Sequence, residues 1–228
     1  MQPPMWSEID TVLLDMDGTL LDLHYDSHFW MQHLPVRYAQ IHQLDIDFSR
    51  QYLETELGKN KGTIDWYCVD YWTAKLNVDI AALRAEVASK ISFRPYAQEF
   101  LQALRRAGKK VVLVTNDHRS GLQMKLSLLD FGQYLDAIVV SHDFSLAKEQ
   151  PGFWQHMQAI EPFDPSRALF IDDTVAVLAE AEQYGIAQLR YIAQPDSKII
   201  REPNQRFTAV ACFSQYSKQL QLQLQHCQ

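Results

Sequence analysis

The chain has 228 residues, a formal charge of −7, and 47% hydrophobic against 21% charged residues, a balance that excludes collagen-like, disordered and disulfide-scaffold classes. The acidic charge and the lack of a basic stripe argue against long nucleic acid as a partner, while a small phosphorylated molecule remains compatible with a local site. The longest apolar runs, such as Val111 to Val114, fall far short of the roughly 20 residues that a membrane span requires, so no membrane association is expected.

The opening Met1-Gln-Pro-Pro-Met-Trp-Ser-Glu has neither a basic lead nor an apolar stretch, so no signal peptide is expected and a cytoplasmic location follows. Five short β-branched or Leu-rich runs read as buried strands: Thr11 to Leu14, Val111 to Val114, Ala137 to Val140, Ala168 to Ile171 and Gln188 to Ile192. Helical patterns separate the later runs. Ala97, Phe100, Leu101 and Leu104 share one face of Pro95 to Ala107, and Leu122, Leu126 and Leu129 precede Gly132. Phe153, Trp154, Met157 and Ile160 form a third pattern, and Val177, Leu178 and Ala181 before Gly185 a fourth. Strands that are apolar throughout, alternating with amphipathic helices, predict an α/β fold with a doubly wound parallel sheet covered on both faces.

One connection is too long. The first strand ends near Asp15 and the next begins near Lys110, far more chain than a crossover helix needs. The intervening residues read as helical, with ten of the chain's aromatics, so the expected division is a core domain of 1–21 and 92–228 and a helical cap domain of 22–91. Trp66, Tyr67, Tyr71 and Trp72 suggest i,i+4 contacts on one helix, either as packing within a small cap or as rings on which a purine stacks. Near the end, Leu220, Leu222 and Leu224 alternate with Gln, which fits a short strand, a helix end or disorder.

In open parallel sheets ligands bind beyond the carboxyl ends of the strands, and those ends are polar here. Asp15-Met-Asp17-Gly18-Thr19 follows the first strand, Thr115-Asn116-Asp117 the second, Ser141-His142 and then Lys148 the third, and Asp172-Asp173-Thr174 the fourth. Asp15 and Asp17, two apart at a strand end, face one pocket. Two carboxylates about 6 Å apart repel by roughly 2 to 3 kcal/mol at an effective dielectric of 20, and Asp172 and Asp173 add to this. A divalent cation relieves the repulsion, and carboxylate and carbonyl oxygens suit Mg²⁺ better than zinc. A carboxylate beside the metal can attack a phosphoryl group while its neighbour protonates the leaving alkoxide. Thr115, Lys148 and backbone N–H groups near Gly18 are candidates to hold the phosphate oxygens, and Gly18 allows the sharp turn. Thr115 also suits a helix cap, Asn116 suits either a substrate contact or a turn, and Asp172 suits a charge at a helix N-terminus. His24 and His28, just beyond the first acidic segment, suit either contact with substrate or, the favoured reading, local hydrogen bonding at the hinge of the insert. Cys68, Cys212 and Cys227 are widely spaced and lack a CxxC pair, so they read as reduced and structural, and no zinc site is expected from them or from the spacing of the histidines.

Asp15-Met-Asp-Gly-Thr-Leu20, then Thr115, Lys148 and Phe170-Ile-Asp-Asp173, together resemble the four motifs of the haloacid dehalogenase superfamily, whose C1 cap is inserted after the first strand. The resemblance implies that Asp15 is a nucleophile and Asp17 a general acid/base. It implies that Asp15, the Asp17 backbone carbonyl and Asp173 ligate Mg²⁺, that Asp172 holds metal-bound water, and that Thr115 and Lys148 bind phosphate. Members that cleave carbon–halogen bonds lack the second aspartate, so Asp17 points to a phosphatase. Asp10 to Leu23 and Asp65 to Trp72 are similar to segments of bacterial GMP/IMP 5'-nucleotidases, which implies a purine mononucleotide as substrate. The alternatives are a phosphatase or mutase for sugar phosphates or phosphoglycolate and, from another class, a phospho-accepting signalling receiver. Receivers, however, place an acidic pair well before the acceptor and have no insert.

Overall fold

The computed structural model describes residues 4–202, 204–210 and 212–226. Its five strands are β1 (Thr11–Leu14), β2 (Lys110–Thr115), β3 (Ala137–Val140), β4 (Ala168–Asp172) and β5 (Gln188–Tyr191). All pair in parallel in the order β3-β2-β1-β4-β5, so β1 is central. The expected strands and the doubly wound sheet are therefore present, each strand within a residue or two of its sequence bounds.

Alternation along the strands divides the core into two layers, because successive side chains point to opposite faces. Val12, Leu14, Val111, Leu113, Leu169 and Ile171 pack on one face. That side is covered by α7 (Ala97–Arg106), α8 (Arg119–Leu129) and α11 (Phe213–His226), through Phe100, Leu104, Leu122 and Phe213. Leu13, Val112, Val114 and Phe170 pack on the other face, against Phe153, Trp154 and Met157 of α9 (Phe153–Ile160) and Leu178 of α10 (Val175–Tyr184). The Gln-rich end, as far as it is described, is helix α11, whose Leu220 is buried. Phe213 stacks on Phe100 at 4.8 Å and Trp6 donates to Gln219, so burial against α7 decides a segment whose local pattern was ambiguous. Cys68 and Cys212 are free and half-buried, while Cys227 lies outside the described residues.

Between β1 and α7 the chain is helical: α1 (His24–His28), a π-helical turn (Phe29–His33), α2 (Leu34–His42), α3 (Ile46–Lys59), α4 (Ile64–Tyr67), α5 (Val69–Leu76) and α6 (Ile80–Glu86). The chain leaves and rejoins the sheet through adjacent segments: Leu21 bridges Phe93, Asp22 N–H donates to Ser92 and Arg94 N–H to Leu20. Aromatic side chains fill the insert, with Trp30 edge-on to Trp72 and Tyr38 stacked on Tyr52. The run from Trp66 to Trp72 is two short helices and not the single helix expected, because Cys68 is extended (φ −86°, ψ 110°) and its sulfur accepts from Tyr71 N–H to start α5. Trp72 is fully buried and its Nε1 donates to the Trp66 carbonyl, which makes that ring a packing element. Among the described residues no helix is long and apolar enough to cross a membrane.

Candidate active site

The sheet register places the acids. Leu14 pairs with Ile171 and with Leu113, so the next residue, Asp15, stands level with Asp172 at the carboxyl end of the central strands. Asp15 N–H donates to Ile171 and carries the ladder into the turn. Lys148, arriving from the segment between β3 and α9, is fully buried and crosses these ends. Its Nζ donates to Asp15 Oδ1 at 2.6 Å, Asp172 Oδ2 at 2.7 Å and the Val114 carbonyl at 3.1 Å, which uses all three protons. Oxygens of Asp15, Asp172 and Asp173 lie within 4.8 Å of one another, and Asp15 Oδ2 is buried without a hydrogen-bond partner.

Three acids face one lysine here. Burial pushes the Asp15 carboxyl up to about 6, with Lys148 opposing it and Asp172 adding to it. Asp172 and Asp173 are likewise pushed up to about 6, first by burial, and each also by a neighbouring carboxylate. Burial works against the charged Lys148, but Asp15 and Asp172 outweigh it and hold the ammonium above its ordinary value. Arg201, partly exposed, touches Asp173 at its Oδ2 and its backbone carbonyl. An all-oxygen carboxylate set with one orphaned acceptor fits a small hard cation such as Mg²⁺, which sulfur and imidazole donors would not favour.

Asp17 sits two residues beyond Asp15 but in a second cluster. Lys125, fully buried on α8, donates to Asp17 Oδ1 at 2.7 Å, Asp117 Oδ2 at 2.8 Å and Asp26 Oδ2 at 3.2 Å. Arg84 of α6 grips Asp117 with both terminal nitrogens (2.9 and 3.2 Å) and also reaches Asp26. Three acids here face two cations. Burial, with Asp26 and Asp117 nearby, pushes the Asp17 carboxyl well above its usual range despite Lys125. Burial also acts on Asp117, but Arg84 and Lys125 prevail and hold it ionised far below that range. With Asp17 protonated, the cluster is neutral. Asp17 Oδ1 accepts from Lys125, which leaves its other oxygen to carry the proton, and 18% of the side chain stays open.

The other expected residues are near but differently engaged. The Thr115 hydroxyl accepts from Asp117 N–H and closes the turn ahead of α8, whose cap is His118 and not Thr115, and it keeps its own proton to donate. Asn116 clamps the Lys148 loop: its Oδ1 accepts from Lys148 N–H and its Nδ2 donates to Glu149. Gly18 N–H, expected among the phosphate donors, is instead committed to the Leu21 carbonyl. What Gly18 supplies is its left-handed φ of +88° and room, since a Cβ there would lie 2.8 Å from Asp173 Cγ. His28 bonds Gln32, the local role expected at the hinge, whereas His24 Nδ1 lies 3.6 Å from Asp196 and has no hydrogen-bond partner.

Lys125 and Arg84 were not singled out from sequence, yet each carries a readable signal. Lys125 interrupts the Leu122, Leu126, Leu129 stripe, and Arg84 stands among Ile80, Leu83 and Val87. A cation on an apolar helix face needs a buried anion.

A family model of haloacid dehalogenase-like hydrolases matches residues 9–185, and the chain belongs to that family of enzymes. It is 35% identical over 201 residues, 88% of its length and 90% of the relative's, to the GMP/IMP nucleotidase YrfG of Escherichia coli, with the same figures for its Shigella flexneri counterpart. Among solved structures, the HAD phosphatase from Thermococcus onnurineus superposes with a TM-score of 0.77 at 19% identity, covering 93% of this chain and 98% of that one. The L-2-haloacid dehalogenase from Xanthobacter autotrophicus gives 0.63 at 14%, covering 93% and 98%. Both share the fold.

Proposed function

We propose that this hydrolase is a Mg²⁺-dependent phosphomonoesterase that works through an aspartyl-phosphate on Asp15, with purine nucleoside 5'-monophosphates as its substrates. The observation that carries the reading is the free, buried Oδ2 of Asp15 beside an oxygen already held by Lys148. In this scheme Asp15 Oδ2 attacks phosphorus and the ester oxygen leaves. Asp17, held protonated by burial, donates its proton to that oxygen and later takes one from the water that hydrolyses the acyl phosphate. Lys148 aligns Asp15 and offsets charge beside the phosphate, and the Thr115 hydroxyl is the donor to the phosphate oxygens.

Mg²⁺ would be held by Asp15, the Asp17 carbonyl and Asp173, with Asp172 behind them, and supplies positive charge to the acids and the phosphate. Residues 22–91 act as a cap over the core of 1–21 and 92–228. Tyr67 of the insert supports this, since it donates at 2.8 Å to Glu149, the neighbour of Lys148. The purine preference is supported by the activity named for YrfG at 35% identity. Phosphate release measured with GMP, IMP, other nucleotides, sugar phosphates and phosphoglycolate, with and without Mg²⁺, tests the reading. Mg²⁺-dependent turnover fastest on GMP and IMP is expected, and faster turnover of sugar phosphates would overturn the substrate assignment.

A further inference from the structure

No local spacing of cysteine and histidine predicted a transition-metal site, but three such side chains from separate parts of the chain converge where the insert meets the core. Cys68 lies at the break between α4 and α5, His118 caps α8, and His142 occupies the short turn after β3. One donor atom from each lies within 4.8 Å of the other two.

Each residue has donor capacity to spare. His142 has both ring nitrogens shielded from solvent and neither has a hydrogen-bond partner. Its ring meets that of His118 edge to face, with centroids 5.0 Å apart. His118 Nδ1 lies 2.9 Å from Ser120 Oγ and 3.4 Å from Ser120 N, so binding a metal through Nε2 requires the tautomer in which Nδ1–H donates to Ser120 Oγ in place of accepting from the Ser120 N–H. Its Nε2 lies 3.5 Å from Asp70 Oδ2. Cys68 is a free thiol whose sulfur accepts from the N–H of Tyr71.

We propose that Cys68, His118 and His142 form a binding site for a borderline-soft divalent cation of the Zn²⁺ class, with Asp70 or water as fourth ligand, that ties the helical insert to the core. Tetrahedral zinc with Zn–N near 2.0 Å and Zn–S near 2.3 Å sets donor atoms about 3.3–3.6 Å apart. Donors that lie within 4.8 Å of one another therefore need to close by no more than about 1.5 Å to reach that spacing. Sulfur and imidazole discriminate against Mg²⁺, so the two metal-binding clusters of the chain select different ions. Binding displaces the thiol proton of Cys68 to solvent. Two ligands sit on the loops that carry Asn116 and Lys148 and the third on the insert, so the occupied site clamps one to the other. The site does not depend on the phosphatase reading.

The test is a titration of the reduced, chelator-stripped full chain with Zn²⁺ in excess Mg²⁺, by competition with a chromogenic chelator. Expected are one Zn²⁺ per chain, at least tenfold weaker binding in Cys68→Ser and in His142→Asn, and a zinc-dependent rise in the wild-type unfolding midpoint that Cys68→Ser lacks. Co²⁺ in place of Zn²⁺ gives a thiolate charge-transfer band in the wild type. Cys68→His, which keeps a donor, retains zinc binding but loses that band, and so guards against a misfolded serine variant. Equal zinc affinity in wild type and Cys68→Ser, absence of binding, or binding lost on Asp173→Asn but kept in Cys68→Ser would each overturn the site.

Discussion

Two buried clusters of charge lie side by side at the end of one sheet, and their bookkeeping differs. Asp15, Asp172 and Asp173 share Lys148, with Arg201 only at the edge, and one acid oxygen has no partner. Asp17, Asp26 and Asp117 share Lys125 and Arg84, and one proton on Asp17 closes the balance. The first cluster has a charge deficit that a cation and a phosphate can use. The second is complete within the protein, and it links the insert to Asp17, the acid proposed as proton donor. Burial alone therefore does not distinguish a cluster open to an added ion from one that is self-contained; uncompensated charge does.

That contrast can be broken in four ways. The largest effect expected is from Asp15→Asn, which removes the proposed nucleophile: phosphate release should fall by a factor of about 10⁴ or more with the circular dichroism unchanged. Turnover within tenfold of wild type would remove Asp15 from the chemistry. Next, Lys125→Met leaves Asp26 and Asp117 with Arg84 alone, one cation for two carboxylates, and should cost about 3–5 kcal/mol in denaturant unfolding, since a buried charge is left uncompensated. Mg²⁺ should not repair that loss, whereas it should offset part of the destabilisation of Lys148→Met, whose stranded acids it can neutralise. Equal rescue of both variants would erase the distinction between the clusters.

Third, metal-free protein should lose stability as pH rises from about 4 to about 6. Asp15, Asp172 and Asp173 have folded values near 6 against 3.8, so the folded state holds more protons than the unfolded chain across that window. Added Mg²⁺ at pH 7 should raise the melting midpoint and flatten the profile; a metal-free midpoint that climbs steadily from pH 4 to 7, even after Asp117's opposing contribution, would contradict it. Smallest is the effect of Asp15→Asn on the metal-free fold. It should stabilise by on the order of 1–3 kcal/mol at pH 7 and by little at pH 4, where the acid is already protonated. A destabilised variant at pH 7 would mean that the Lys148 contact outweighs the crowding.

Much of the molecule was legible because its signals are local. Apolar strand runs bury on both faces whatever surrounds them, and an aspartate placed just past such a run must emerge at the sheet end. Asp15, Lys148, Asp172 and Asp173 meet for that reason. The break at Cys68 and the helix at the Gln-rich end were less legible, since a sulfur cap and burial against α7 overrode patterns that admit several structures. Thr115, Asn116 and Gly18 were recognised as residues but not as contacts: their hydrogen bonds to Asp117, Glu149 and Leu21 depend on backbone turns that composition does not encode.

By itself the sequence determined the alternating architecture, the long helical insert after the first strand and the set of acids at the strand ends, because periodicity and motif order are properties of neighbouring residues. Only the tertiary structure decided which acid pairs with which cation. Arg84 of the insert reaches Asp117 of the core and Lys125 of the core reaches Asp26 of the insert, and Cys68 comes to face His118 and His142 at the same junction. Such pairings are set by how separate elements pack, where a few ångströms at low dielectric determine whether a charge is neutralised or left free.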